Sequence, residues 1–185
     1  MLTIKNTKIK GTWREVADSA RTTIGLDVGE KEPSNKWKKQ ILLAEHSPIR
    51  QLQFKWKWYN LPFWVSVHFV RHWLGIVHFV KTSRSDRTGI NRDELPQNNP
   101  VDHECEANAQ ALINISRKRL CTQASKETRD AWKLVLEKVK EKDSVLFSTC
   151  VPECIYRGFC PEFKCCGYVN TVEYKNKLEE YRNVK

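Results

Sequence analysis

Six cationic or imidazole side chains lie within an apolar stretch at positions 70–87 of this 185-residue chain. They are Arg71, His72, His78, Lys81, Arg84 and Arg87. Burying such groups without partners is costly. Two interpretations follow: the side chains point into solvent, or they converge on an anionic ligand. The rest of the sequence is needed to choose between these two interpretations.

Histidines in the same stretch have the spacing of a metal-binding pair. His68 and His72 would lie one turn apart on a helix, and His78 follows nearby. The glutamate of a metalloprotease helix is missing, because Phe69 follows His68. Histidines on an aromatic helix are more often packed or hydrogen-bonded than bound to a metal, so we favour that interpretation.

Five cysteines fall between positions 150 and 166, and no two of them have the two-residue gap of a zinc knuckle. Two interpretations stay open: a zinc site, or free thiols packed in a tight turn. The zinc ligands would be Cys150, Cys154, Cys160 and Cys166, with Cys165 as a substitute for Cys166 and Cys121 as a further ligand. So short a segment buries too little apolar area to hold itself, so a metal or packing against the preceding helix must fix it.

The charge distribution limits the classes of binding partner. The formal charge is +10, and residues 36–87 contain ten Lys or Arg against only Glu45 and Asp86. This excess indicates an anionic partner without separating nucleotide, nucleic acid and membrane surface. A hydrophobic content of 40% with seven tryptophans argues against disorder, and the length predicts one domain.

The cysteine count and the hydropathy pattern predict a compartment. No N-terminal apolar run resembles a signal peptide, and no apolar run is long enough to span a bilayer. An odd number of cysteines, seven, predicts reduced thiols rather than a disulfide framework. We therefore expect a cytoplasmic protein with no membrane partner.

The clearest element is a strand over residues 51–58, where apolar and polar side chains alternate strictly. Its apolar face carries Leu52, Phe54, Trp56 and Trp58. Pro62 then suits the first turn of a helix over residues 63–73. A second strand is expected over residues 77–81, and a loop follows to Gly89.

The other elements are predicted to be helical. Ser34 or Asn35 caps a helix that runs to about residue 44, and a charged helical tail covers residues 171–185. Residues 1–35 are otherwise weakly patterned, apart from a short helical segment at 13–20.

Residues 101–151 contain neither proline nor glycine, and their apolar side chains recur at helical spacing, which predicts one long helix or two in succession. Within it Asn108 and Arg119 are eleven residues apart and share a face with Ile115. That face could line a nucleotide pocket or form a solvated edge.

The order of these motifs resembles one family from about Ala20 to about Arg129. The segment His-Ser-Pro-Ile-Arg-Gln at 46–51 precedes the strand, and Arg71-His72-Trp73 ends the helix. Thr82-Ser83-Arg84, Arg92 before Leu95-Pro96, and Asn108, Asn114 and Arg119 follow, then a stretch at 124–128. This succession is similar to that of the flavin-dependent thymidylate synthases.

The departures from that family define a compact and divergent relative. Trp73 stands where the signature has its second arginine, His78-Phe79 replaces an Asn-Glu pair, and Gln51 replaces a histidine. One extra residue precedes Arg84, the stretch at 85–91 is short, and the cysteine cluster replaces a cysteine-poor end.

The resemblance implies an α+β fold with a small antiparallel sheet and long helices, to which the residues themselves add a cysteine-rich C-terminal turn. It implies one domain over residues 1–185, of which about 150–185 form an extension, and a homotetramer with shared active sites. The implied reaction methylates deoxyuridine monophosphate (dUMP) at uracil C5. Methylenetetrahydrofolate supplies the carbon, and NADPH reduces the bound FAD that provides hydride.

The resemblance also assigns site residues. Those implied to bind substrate are His68, Arg71, Thr82, Ser83, Arg84, Arg92 and Arg119. Those implied to bind FAD are Gln51, His72, Trp73, His78, Asn108, Asn114 and Gln123. The catalytic residue stays unassigned, with His78 and Ser83 as candidates, and the cations at 70–87 would then meet phosphates.

Two other functions stay open. A relative could keep the nucleotide pocket and perform another pyrimidine modification, or none, since Trp73 and His78-Phe79 alter the flavin-facing positions. A single-stranded nucleic-acid binder could use the basic, aromatic segment at 36–87, but Arg92, Asn108 and Arg119 would then be unexplained.

Overall fold

The computed structural model of the protein describes residues 1–184 and contains a four-stranded antiparallel sheet packed against helices. The strands are β1 (Thr3–Lys10), β2 (Gln53–Pro62), β3 (Ile76–Val80) and β4 (Pro100–Asn108). Their order across the sheet is β1-β2-β4-β3. The α-helices are α1 (Trp13–Thr22), α2 (Asn35–Leu43), α3 (Phe63–Val70), α4 (Ser85–Thr88), α5 (Ala109–Arg119), α6 (Lys126–Lys142), α7 (Ser144–Thr149), α8 (Glu153–Arg157) and α9 (Val172–Arg182). The predicted α+β class is confirmed.

The alternating strand forms the centre of the core, as predicted, and continues to Pro62. Trp56 and Trp58 are fully buried and face α6. The Trp58 indole nitrogen donates to the carbonyl of Ala131 at 3.1 Å, and the rings of Trp56 and Trp132 meet edge to face with centroids 5.9 Å apart. The indole hydrogen bond satisfies a polar group that would be costly to bury alone.

Two of the four strands were not predicted from the sequence. β1 lies in the segment predicted to be weakly patterned, and β4 occupies the start of the stretch predicted to be helical, so that assignment is wrong. The buried face of β4 consists of Val101, His103, Cys105 and Ala107. This face mixes small, polar and apolar side chains, which hides the period of two that defines a strand.

The predicted helices are largely confirmed. Ser34 caps α2 and accepts from the Trp37 amide at 3.3 Å. α3 begins after Pro62 and ends at Val70, before the predicted position 73. After β4 the chain forms α5 and α6 in succession and then the short α7. Within residues 1–184 no helix has both the length and the apolar character needed to cross a membrane.

Part of the basic excess at 36–87 is neutralised inside the sheet. Three lysines pair with carboxylates of β4: Lys10 with Glu106, Lys55 with Glu104 and Lys57 with Asp102, at 2.7, 2.7 and 3.1 Å. Lys55 and Lys57 alternate with the buried tryptophans on β2, so they lie on the outer face of the sheet, whereas Lys10 is on β1 and outside the basic segment. Lys55 and Lys57 therefore already have carboxylate partners, so only part of the basic excess is available to an anionic partner.

Candidate functional site

The ends of α3 and α5 meet at Arg119, the last residue of α5. Its Nε donates to His72 Nε2 at 2.8 Å, and a terminal nitrogen donates to the His68 carbonyl at 2.7 Å. The His68 ring is turned away and pairs through Nδ1 with the Thr128 hydroxyl at 3.0 Å. The helix ends thus fix the plane of the guanidinium and leave donors available for a ligand.

The site is positively charged and lacks an internal counter-ion. Within residues 1–184 no carboxylate lies within 4.0 Å of the guanidinium of Arg71 or of Arg119. Burial, and then repulsion from Arg71, lowers the pKa of Arg119. Two neighbouring guanidinium groups without a carboxylate match the charge of a phosphate, which they can bind through paired hydrogen bonds.

The two histidines beside Arg119 are neutral at physiological pH. Burial, followed by the charge of Arg119, lowers the pKa of His72 to about 4 and also lowers the pKa of His68. The Arg119 Nε–H donates to His72 Nε2, so the His72 proton must lie on Nδ1. His72 therefore orients Arg119 without adding a charge.

A chain of hydrogen bonds connects this site to the core. His78 Nε2 donates to the His72 carbonyl at 2.7 Å, because a carbonyl oxygen can only accept. In its neutral form His78 then accepts at Nδ1 from His103 Nε2 at 2.9 Å. His103 in turn accepts at Nδ1 from the Ser66 hydroxyl at 3.0 Å. This chain holds the connection from α3 to β3 in place.

One group in the described part of the chain has the spacing of metal ligands: His78, His103 and Cys105 have ligand atoms within 4.8 Å of one another. Both His78 nitrogens and both His103 nitrogens already have hydrogen-bond partners, and the Cys105 sulfur lies 3.3 Å from His78 Nδ1. We therefore interpret the group as part of the hydrogen-bonded chain. His68 and His72 are hydrogen-bonded, as expected.

Asn108 does not lie inside a helix, so that prediction is wrong. It is the N-cap of α5, and its Oδ1 accepts from the Ala111 amide at 2.9 Å. Gly75 packs directly against it, with φ of +73°, and a Cβ there would come within 2.7 Å of Asn108 Nδ2. Asn108 thus joins β4, α5 and the start of β3.

Asn114 lies on the opposite side of α5 from Arg119. Its side-chain oxygen accepts from Gln110 at 3.3 Å and from Arg117 at 3.2 Å. Arg117 also pairs with Glu45 and stacks on the Tyr156 ring. Within one chain, Asn114 is therefore separated from the cationic site.

The remaining predicted residues are mostly at the surface. Arg84 forms a double hydrogen bond with Asp86 at 3.0 and 2.7 Å, and Arg92 is exposed beside Asp93. Thr82 accepts from the Arg84 amide at 3.2 Å. In the described residues no hydrogen bond or ion pair connects Thr82, Ser83, Arg84 or Arg92 with Arg119. Their assignment to the substrate stays a prediction.

Three residues assigned to FAD differ in whether their side chains are exposed or already hydrogen-bonded. Trp73 is 73% exposed beside Arg71, and Gln51 is exposed. Gln123 donates to the Lys164 carbonyl at 2.9 Å and so contacts the cysteine-rich turn.

The predicted thiol ligands separate in space. Cys154, Cys160 and Cys166 line one cavity, and Cys150 does not. Cys150 is buried, and its burial raises the pKa of the thiol to about 12.

Sequence reasoning missed Ser66, His103 and Cys105. A signal for two of them exists, because His103 and Cys105 alternate with Asp102, Glu104 and Glu106 once β4 is recognised as a strand.

The fold and the cationic site place the chain in a structural class. No protein-family model and no curated protein matches the sequence. Among solved structures, a UMP/dUMP methylase PolB from Streptomyces cacaoi, bound with 5-Br dUMP, superposes with a TM-score of 0.66 at 12% identity. The match covers 86% of this chain and 96% of that one.

Thymidylate Synthase X (ThyX) from Helicobacter pylori, solved with FAD and dUMP, superposes with a TM-score of 0.65 at 15% identity. That match covers 82% of this chain and 99% of the ThyX chain. A second structure of the same enzyme with FAD and dUMP gives 0.64 at 14% identity, over 81% and 99%. The chain therefore has the ThyX fold.

Proposed function

We propose that this protein binds a deoxyuridine nucleotide and methylates its base. The observation that carries the proposal is the pair Arg71 and Arg119, two guanidinium groups that no carboxylate within residues 1–184 contacts. The solved neighbours of this fold hold dUMP or its bromo analogue. In this proposal Arg119 and Arg71 bind the phosphate. His72 and the His68 carbonyl keep Arg119 in position.

The finer proposal is reductive methylation of dUMP to dTMP at uracil C5, with methylenetetrahydrofolate and NADPH as co-substrates and FAD as cofactor. FAD would supply hydride when bound. Trp73 is exposed enough to stack on a flavin ring, and His72 offers its Nδ1 proton. Asn114 and Gln123 fit less well, because both are engaged elsewhere in the chain.

That partial fit favours a second candidate, a relative that binds a pyrimidine nucleotide and performs another modification or none. The neighbour named as a UMP/dUMP methylase has the same fold. The nucleic-acid alternative has less support, because Lys55 and Lys57 are already paired with carboxylates.

We also propose a homotetramer with shared active sites, acting in the cytoplasm. The apolar surface next to the cationic site supports a second copy of the chain as its partner, since α3, edge strand β3 and the connection between them all expose large side chains. They are Phe63, Val67, Val70, Trp73, Leu74, Val77 and Phe79. Exposed apolar surface of this extent marks interaction sites.

The deciding experiment measures dUMP binding and flavin content together. We expect the purified protein to be yellow, with flavin absorbance near one FAD per subunit, and to bind dUMP in calorimetry. A colourless protein that binds dUMP and ignores added FAD would support the second candidate. Absence of dUMP binding would refute both.

A further inference from the structure

Four cysteines from three parts of the chain line one cavity of about 430 Å³. Cys121 lies in the turn between α5 and α6, and Cys154 lies on α8. Cys160 and Cys166 lie in the irregular segment at 158–167. All four are free thiols. The cavity thus brings together residues up to 45 positions apart in the sequence, from 121 to 166.

The four thiols interact with one another across the cavity. Cys154 interacts electrostatically with Cys121 and Cys160, and Cys166 interacts in the same way with Cys121. Cys160 interacts first with Cys165, through a side-chain hydrogen bond, and then electrostatically with Cys166. Four ligands around one centre need to face a common space, and the cavity that all four thiols line provides it.

The segment at 158–167 is fixed by polar contacts and not by burial. Gln123 donates to the Lys164 carbonyl at 2.9 Å, and the Cys121 sulfur lies 3.9 Å from a Glu162 oxygen. The aromatic side chains of the segment face solvent: Phe159 is 57% exposed and Phe163 fully exposed. A segment that buries so little apolar surface needs another source of stability, and a bound metal is the usual one in small cysteine-rich units.

We propose that Cys121, Cys154, Cys160 and Cys166 bind one zinc ion through four thiolates. Zinc prefers tetrahedral sulfur coordination in structural sites. Cys150 lies outside the cavity, and Cys165 is next to a ligand without lining the cavity. The cavity wall carries four cations, Arg129, Lys133, Lys164 and Lys177, and three carboxylates, Glu153, Glu162 and Glu173. Four positive and three negative charges leave a net charge of +1, which offsets part of the negative charge of a zinc ion with four thiolates.

Zinc binding must draw the segment inwards. In the described part of the chain no three of these sulfurs lie within 4.8 Å of one another. A tetrahedral site with zinc–sulfur bonds of about 2.3 Å has sulfur–sulfur edges of about 3.8 Å. In the proposal the segment with Cys160 and Cys166 makes this shift, because it buries the least apolar surface of the cavity wall. Because Cys121 follows Arg119 by two residues, the ion would also fix the end of α5.

The test is metal analysis of full-length protein produced without a histidine tag. We expect about one zinc per chain. Cys160→Ser should weaken zinc binding by roughly 100-fold or more, beyond the loss of an outer-shell partner. The matched control is Cys165→Ser, which removes the thiol that hydrogen-bonds to Cys160 but does not line the cavity, and it should keep its zinc. Loss of zinc in Cys165→Ser with retention in Cys166→Ser would overturn the ligand set.

A second measurement needs no mutation and so is independent of folding defects in the variants. Cobalt added to chelator-treated wild-type protein should give sulfur-to-cobalt charge-transfer bands and the strong visible bands of a tetrahedral site. Hydrogen exchange at 158–167 should slow when the metal is added back. Iron with acid-labile sulfide in place of zinc would overturn the assignment of the ion. Protein without zinc whose exchange ignores added metal would overturn the site.

Discussion

Acid should destabilise this protein through His103, which is buried between β2, β3 and α3. The groups around it are Ser66, His78, Cys105 and the Trp58 ring. Burial, and then the neighbouring His78, lowers the pKa of His103 to about 3. In the unfolded chain a histidine has a pKa of about 6.5. Between these values the unfolded state binds a proton that the folded state does not.

The sign follows from this difference in protons. Stability from a lowered histidine pKa is complete above about pH 6.5 and falls by about 1.4 kcal/mol per unit as the pH decreases towards the folded value. From pH 7 to pH 5, His103 alone should cost about 2 kcal/mol of the free energy of unfolding. His72, with a pKa of about 4, acts in the same direction, and its partial exposure makes its share smaller.

The assay is urea unfolding followed by circular dichroism at pH 7 and pH 5, at one protein concentration. His103→Gln keeps an amide donor for His78 and removes the titrating ring, so its loss of stability should be smaller than wild type by about 2 kcal/mol. His46→Gln removes an exposed imidazole and is the control, with no change expected.

Equal losses in wild type and His103→Gln, within about 0.5 kcal/mol, would refute this reasoning. If the variant fails to fold, the ring signals of His103 in nuclear magnetic resonance decide the matter. They should show a neutral ring down to pH 5. Protonation of His103 near pH 6.5 would contradict its assignment as a buried neutral link.

Three further predictions concern the site and its support. Arg119→Ala should weaken dUMP binding in calorimetry by about 1.5–3 kcal/mol, the range for a hydrogen bond to a charged group, whereas Lys142→Ala at the exposed end of α6 should not. Gly75→Ala should lower the free energy of unfolding by about 1 kcal/mol more than Gly89→Ala. Both glycines have a positive φ, but of the two only Gly75 has a neighbouring side chain, that of Asn108, where the Cβ would lie. Light scattering should give a tetramer, and charged substitution of exposed Phe79 should dissociate it.

The sequence allowed prediction of the helices and strands whose apolar side chains recur regularly. It did not allow prediction of those whose buried face mixes apolar, small and polar side chains. β2 carries three large apolar side chains at every second position, Phe54, Trp56 and Trp58, and Leu52 just before it continues the pattern, so the alternation predicted both the strand and the buried face. β4 has the same alternation, but its inner face combines Val101 with His103, Cys105 and Ala107, which are small or polar and so give a weak apolar period. The absence of proline and glycine therefore favoured a helix there wrongly.

The candidate site shows the same limit. The meeting of Arg119 with the end of α3 depends on where α5 begins, and α5 begins eight residues later than the predicted helix. Asn108 and Arg119 still belong to one helix, since Asn108 is the N-cap of α5 and Arg119 is its last residue. The surroundings of Asn114 could not be predicted from the sequence. Asn114 accepts a hydrogen bond from Arg117, and Arg117 pairs with Glu45, which lies in a loop distant in sequence.

The position of Arg119 depends on both ends of α5. At the start Asn108 caps the helix and packs against Gly75, and at the end Cys121 enters the proposed zinc site. An eleven-residue helix is a rigid rod of about 16 Å, so a shift at either end moves the guanidinium. Gly75→Ala and Cys160→Ser, which do not touch the nucleotide in the proposal, should therefore both weaken dUMP binding severalfold. Their controls Gly89→Ala and Cys165→Ser should leave it unchanged. Unaltered affinity in both test variants, with zinc lost from the second, would show that the helix ends do not set the geometry of the site.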